Sequence, residues 1–222
     1  MTTVGFLGTG RIARTVAGLS VAAGHRVVLS DPYGSKTLTD LIAGLGPLAS
    51  AATGEQAAAA GDLVLVRIPL AAYPGLPVQA MAGKVVLDAC NYDPPRDGHV
   101  ADLDEGRVTI SGLLQRQLSQ SQVVKVFNNI LAKHLRSLAR PPGAADRSAL
   151  PIAGDADQAK ATVTAFLDSI GYDAVDAGPL DQSWRQEPGT PVYRSPYGSC
   201  SDETGTPADA AKIRAALAAA HQ

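Results

Sequence analysis

Apolar and polar positions along this chain fall into two alternating patterns. Short strand-like runs occupy residues 4–7, 26–30, 62–69, 85–89, 123–127, 149–153 and 173–176, most of them bounded by Gly, Pro or Asp. Between them, apolar residues recur at helical spacing over 11–23, 38–45, 57–60, 73–81, 113–118, 131–139, 157–170 and 208–220. A fainter strand-like run covers 49–52, and Thr53 and Gln56 have capping-box spacing ahead of the run 57–60. Strand and helix alternate almost throughout, which predicts an α/β fold with a doubly wound, mostly parallel sheet covered on both faces.

From residue 178 the pattern changes. Trp184, Arg185, Tyr193 and Tyr197 interleave with Pro188, Pro191, Pro196 and several glycines before the alanine-rich closing helix. The expected organisation is a nucleotide-binding domain with extra late strands over 1–178 and a small loop-rich and helical C-terminal lobe over 179–222. That lobe either covers a substrate or wraps the surface. Its helix is a docking or dimer element, and the Pro-rich stretch 140–148 is a second lid candidate.

Composition narrows the partners. The 222 residues carry a formal charge of -2, with no basic face for nucleic acid and few basic runs that could dock on a membrane. Cys90 and Cys200 form no metal-ligand spacing with the scattered His25, His99, His134 and His221, so no metal is expected. No basic leader precedes residue 4 and no apolar run approaches spanning length, which leads to the expectation of a cytoplasmic protein with reduced thiols.

The chemistry concentrates in the first turn. Gly8-Thr9-Gly10-Arg11-Ile12-Ala13 follows a strand and opens a helix. Gly8 permits the tight turn, Gly10 keeps side-chain atoms away from a pyrophosphate, and Ala13 lets the helix pack closely on the strand. The helix N-terminus then offers free N–H groups to the phosphates. Asp31 falls about twenty residues after the turn, where a carboxylate accepts hydrogen bonds from a ribose diol and repels a 2′-phosphate. NAD is therefore favoured over NADP, although Asp31 before Pro32 also suits a turn cap. Lys36 and Arg67 are cations that could reach a 2′-phosphate instead.

Further candidates lie at the carboxyl ends of later strands, the ligand edge of an open parallel sheet. Ile68-Pro69 ends one strand, Cys90-Asn91-Tyr92 follows the next, and Asn128-Asn129-Ile130 stands at a strand-to-helix junction. Asn91 and Asn128 could hold a carboxamide or a ribose, or the paired amides could cap the following helix. Cys90 has no visible base beside it, and buried cysteine is commonly inert. His134 is the candidate general acid, although as a structural residue it needs only a hydrogen-bond partner.

In order, these motifs resemble the NADP oxidoreductases dependent on the deazaflavin coenzyme F420. The resemblance rests on the glycine turn, on Ile68-Pro69-Leu70, on Asn91-Tyr92 with Arg96-Asp97-Gly98, and on residues 123–130 ending in Asn128-Asn129-Ile130. It continues through Leu150-Pro151-Ile152-Ala153-Gly154-Asp155, Gly171-Tyr172 and Asp176-Ala177-Gly178-Pro179-Leu180. It implies an N-terminal Rossmann domain, a homodimer, and hydride transfer between NAD(P)(H) and coenzyme F420 as co-substrate. Such a transfer asks for alignment and exclusion of water more than for acid or base catalysis.

The chain departs from that family after its second strand. A serine and arginine pair expected for the 2′-phosphate is replaced by Ser30-Asp31-Pro32-Tyr33-Gly34-Ser35-Lys36, and Arg67 stands where a small residue is expected. The residue reading and the resemblance together gather Gly8, Thr9, Gly10, Arg11, Ile12, Ser30, Asp31, Lys36, Arg67, Ile68, Pro69, Asn91 and Asn128 around the dinucleotide. Three functions follow: a carrier-to-carrier reductase acting on coenzyme F420 or a flavin-like acceptor, a reductase of a small carbonyl or imine using His134, Tyr193 or Tyr197 as proton donor, and a non-catalytic dinucleotide-binding regulator.

Overall fold

The computed structural model describes residues 1–31 and 35–221, without the side chains of 35–37. The strand-like runs become β1 (Thr3–Leu7), β2 (Arg26–Ser30), β3 (Ala49–Ala51), β4 (Leu63–Val66), β5 (Val85–Asp88), β6 (Gln122–Lys125), β7 (Ala149–Gly154) and β8 (Asp173–Asp176). They join in one sheet of order β3-β2-β1-β4-β5-β6-β7-β8. Neighbours are parallel except β6 and β7, where Val124 faces Gly154 and Lys125 faces Ala153 in antiparallel register.

Alternation along a strand divides the core between the two faces of the sheet. Leu63 and Leu65 of β4 pack into one cluster and Val64 and Val66 into the other, all nearly or wholly excluded from solvent. The first face is covered by α1 (Arg11–Ala22), α2 (Ser35–Leu45), α8 (Ala132–Ser137), α9 (Asp157–Ser169) and α10 (Ala210–Ala218). The second carries α3 (Gly54–Ala60), α4 (Val78–Met81) and α7 (Ile110–Gln117), with the short α5 (Pro94–Asp97) and α6 (Ala101–Asp104) before α7. Val192, Tyr197, Ala208, Ile213 and Leu217 of the last segment belong to the first cluster.

Local chemistry explains where elements begin and stop. The expected capping box forms at Thr53 and Gln56 and starts α3. Thr109 accepts from the Gly112 N–H and starts α7 three residues before the predicted helix. The helix expected over 73–81 is broken into a 3-10 turn, Leu70–Gly75, and the short α4, because Pro74 and Pro77 each lack an N–H donor. No helix among the described residues is long and apolar enough to cross a membrane.

Strand order reverses around β1, with β2 on one side and β4 on the other. A crevice at the carboxyl edge is the usual result of such a switch point.

Candidate dinucleotide and acceptor site

The chain leaves β1 into Gly8, whose φ of 102° lies in the region side chains avoid. A Cβ there would stand 2.4 Å from the backbone oxygen of Arg67. Gly8 N–H donates to the Ser30 carbonyl (3.2 Å) and Arg67 N–H to the Leu7 carbonyl (3.0 Å), so the turn is clamped between the ends of β2 and β4. Gly10 is different in kind. It is the N-cap of α1 with φ −63° and ψ 173°, and nothing lies within 4 Å of where its Cβ would be. The protein's own packing does not require glycine there, at the end of α1 whose first N–H groups have no partner within the helix. Ala13, one turn in, is fully buried, as close packing of α1 demands.

Thr9 and Arg14 stiffen the turn. The Thr9 hydroxyl donates to Asp31 Oδ2 at 2.7 Å, and Arg14 Nε donates to the Thr9 carbonyl at 2.7 Å. Ser30 turns its hydroxyl inward to the Phe6 carbonyl (2.8 Å). Asp31 is thus carried just past the end of β2, fixed against the glycine turn.

Two cavities flank this turn, both built from residues just past the carboxyl ends of parallel strands. The larger, about 960 Å³, is lined by Leu7, Gly8, Ser30, Asp31 and Ile68, with Thr53 to Glu55 and residues from the 3-10 turn and α4. The smaller, about 560 Å³, is lined by Arg11, Ile12, Arg67, Asn91, Asn128, Tyr193, Arg194 and Cys200 among others. Gly8, Ser30, Asp31 and Ile68 therefore share one cavity, while Arg11, Ile12, Arg67, Asn91 and Asn128 share the other. Thr9 and Gly10 lie between Gly8 and Arg11 in the chain and line neither cavity, and Pro69 begins the 3-10 turn beside Ile68. Arg67 and Asp31 line different cavities. The Lys36 side chain lies outside the described residues.

Asn91 and Asn128 bind each other. Asn128 Nδ2 donates to Asn91 Oδ1 (2.9 Å) and to the Gln186 carbonyl (2.7 Å), and Asn91 Nδ2 donates to the Asn128 carbonyl (2.9 Å). They knit the ends of β5 and β6 into a floor for the smaller cavity. Neither Asn128 nor Asn129 caps α8, whose N-cap is Leu131; Asn129 instead donates to the Val192 carbonyl at 3.0 Å. That bond and the Arg194 N–H donating to the Asn129 carbonyl (2.8 Å) bring the last segment over the cavity.

The other candidates fall elsewhere. His134 is fully buried and donates from Nε2 to the Asp202 carbonyl at 2.8 Å, since a carbonyl only accepts. The backbone of Gly205 packs on its ring, and His134 lines neither cavity. It anchors the 198–206 loop. Tyr197 is buried and donates to the Ala149 carbonyl (2.9 Å). The Cys90 thiol is buried against the Val66 and Ile68 carbonyls, and burial, followed by the Asp88 charge, pushes its pKa up to about 12. Such a thiol is no nucleophile at neutral pH.

Sequence reasoning missed a fully buried ion pair beneath this floor. Lys125 Nζ lies 3.4 Å from Asp88 Oδ2 and donates to the Cys90 carbonyl at 2.7 Å. Asp88 also accepts from Ser111 Oγ (2.5 Å) and the Cys90 N–H (2.9 Å). A lysine inside the apolar run 123–127 was the available signal. Arg194, Lys133 and Cys200 at the smaller cavity were also missed.

Residues 3–92 match the family described as NADP oxidoreductase, coenzyme F420-dependent. Metalloreductase STEAP3 of Rattus norvegicus is 31% identical over 181 residues, covering 80% of this chain and 34% of that protein. The chain thus spans about a third of this curated relative's length. A hypothetical protein of Sinorhizobium meliloti superposes with a TM-score of 0.73 at 26% identity, covering 86% of this chain and 93% of that one. A candidate F420-dependent NADP-reductase of Arthrobacter sp. FB24 superposes with a TM-score of 0.65 at 23% identity over 83% and 87% of the two chains, a likeness of fold. Residues 3–92, with their glycine turn and its flanking strands, are thus the part of the chain that is similar to the coenzyme F420-dependent NADP oxidoreductases.

Proposed function

We propose that the chain is an NAD-linked reductase that binds the dinucleotide across the glycine turn, with its adenosine in the larger cavity and its nicotinamide reaching the smaller. The observation that supports this reading is a pair of cavities on either side of one turn, Gly8 lining one and Arg11 the other, with open space where a Cβ of Gly10 would stand. Bound there, the nicotinamide supplies or accepts a hydride. The α1 N–H groups hold the pyrophosphate, and Asp31, oriented by Thr9, accepts from the ribose hydroxyls. The Asn91–Asn128 floor and the Tyr193 ring shape the acceptor cavity and keep water from it. The acceptor by family is coenzyme F420 or a flavin-like carrier. A small carbonyl or imine is the second reading, favoured by Tyr193, whose hydroxyl sits 3.5 Å from Asn91 Nδ2 beside the cavity.

Mixing the protein with oxidised deazaflavin coenzyme and either NADH or NADPH tests both points at once. Bleaching of the coenzyme, faster with NADH, is expected. Protein that binds NADH yet leaves coenzyme, flavins, carbonyls and imines unreduced would favour a regulator instead.

A further inference from the structure

Four cations line the smaller cavity, Arg11, Arg67, Lys133 and Arg194, and among the described residues no carboxylate does, in a chain whose net charge is negative. Lys133 reaches outward to Glu203 at 3.2 Å. Arg194 lies over the Tyr193 ring at 4.7 Å, a contact that leaves its N–H groups unspent. Among the described residues, neither Arg11 nor Arg67 makes a hydrogen bond or ion pair through its guanidinium, although other arginines of the chain do.

Arg194 adds a second kind of observation. Its φ of 66° is one of two positive values at residues other than glycine among the described residues, and its backbone is held there by the Asn129 carbonyl on one side and the Tyr197 N–H on the other. Glycine would meet the backbone requirement with less strain, so the backbone does not explain an arginine at this position. The side chain, held at the cavity, does.

We propose that the smaller cavity is an anion subsite: the acceptor carries a carboxylate or phosphate that Arg67 and Arg194 receive, with Arg11 adding its charge. This rests on the reading of that cavity as the acceptor's. It restricts the acceptor to an anionic molecule and makes Arg194 a specificity-determining residue. Guanidinium groups suit such anions because their donors form a planar fork.

Cys200 lines the same cavity and is exposed, so its alkylation by neutral iodoacetamide reports occupancy without turnover. Inorganic phosphate, with chloride at matched ionic strength as control, should slow that alkylation. In Arg194→Gly, where the backbone is relaxed, and in Arg67→Met, the half-protecting phosphate concentration should rise about tenfold or more, as loss of a charge-assisted contact requires, and Arg194→Lys should restore part of it. NADH affinity of Arg194→Gly, read by fluorescence, should stay at the wild-type value. Alkylation indifferent to phosphate, or equal protection in all variants, would overturn the subsite. Weakened NADH binding in Arg194→Gly would also overturn it, by assigning the charge to the dinucleotide's own pyrophosphate. Phosphate protection in protein that binds no dinucleotide would leave the subsite standing and remove the reductase reading.

Discussion

Gly8 and Gly10 stand two positions apart in one turn, yet substitution should disturb different properties of the protein. Alanine at Gly8 keeps φ near 102° only at a steric cost of about 1–2 kcal/mol, and its Cβ meets the Arg67 carbonyl oxygen at 2.4 Å, which overpacks the junction by about 1–3 kcal/mol more. A loss of about 2–5 kcal/mol lowers the melting temperature of a chain this size by roughly 4–20 °C. A Cβ at Gly10 meets no atom within 4 Å, and valine finds there a φ of −63° and ψ of 173° that a branched residue adopts freely. Valine is a poorer N-cap than glycine, so apo stability should fall by no more than about 1 kcal/mol. The valine fills the space a pyrophosphate needs at the α1 N-terminus. Losing two charge-assisted N–H contacts costs about 3–6 kcal/mol, or roughly a hundred- to ten-thousandfold in Kd. Differential scanning fluorimetry with and without NADH separates the two effects in one experiment. A Gly10→Val protein that NADH still stabilises normally, or a Gly8→Ala protein that melts with the wild type, would refute the account of this turn.

Three more perturbations follow from groups near the site. Lys125→Met leaves Asp88 buried without its partner and should cost about 3–5 kcal/mol by urea denaturation, whereas Lys125→Met with Asp88→Leu should recover most of it. Burial raises the Glu187 pKa, with the Lys125 charge opposing, so the folded state binds its proton more tightly than the unfolded chain does. That contribution is present at acidic pH and is lost as pH rises above the ordinary carboxylate value of 4.5, so Glu187→Gln should flatten the fall in stability above it. Iodoacetamide at pH 8 should label Cys200 alone in native protein, with Cys90 joining only after unfolding, as intact mass would record.

What the sequence made legible is what short-range chemistry decides. The strand, glycine turn and helix at residues 4–22 are fixed by neighbours in the chain, as is the Thr53 capping box. Asp31 was placed by spacing because one helix and one strand have nearly fixed lengths in this fold. The broken helix at 73–81 was written in Pro74 and Pro77, whose missing donors outweigh the apolar period. Long-range pairing was not legible. His134 meets the Asp202 carbonyl 68 positions away, and Asn91 meets Tyr193 across 102 positions, so spacing said nothing of either. Only the fold reveals that His134 anchors a loop and that Arg194 overlooks a cavity.

The single antiparallel pairing of β6 with β7 reverses the direction of everything after it. The start of β7 therefore lies at the ligand edge, where Tyr197 bonds Ala149, and the chain must cross back after β8 to bring Tyr193 and Arg194 there. The larger cavity is drawn from the first 80 residues and the roof of the smaller from residues near 193, encoded far apart. A ribosome emitting this chain finishes the glycine turn and its flanking strands long before the roof of the smaller cavity exists. On the proposed reading, a lineage altering residues 193–200 could likewise change what is reduced while inheriting the reductant unchanged.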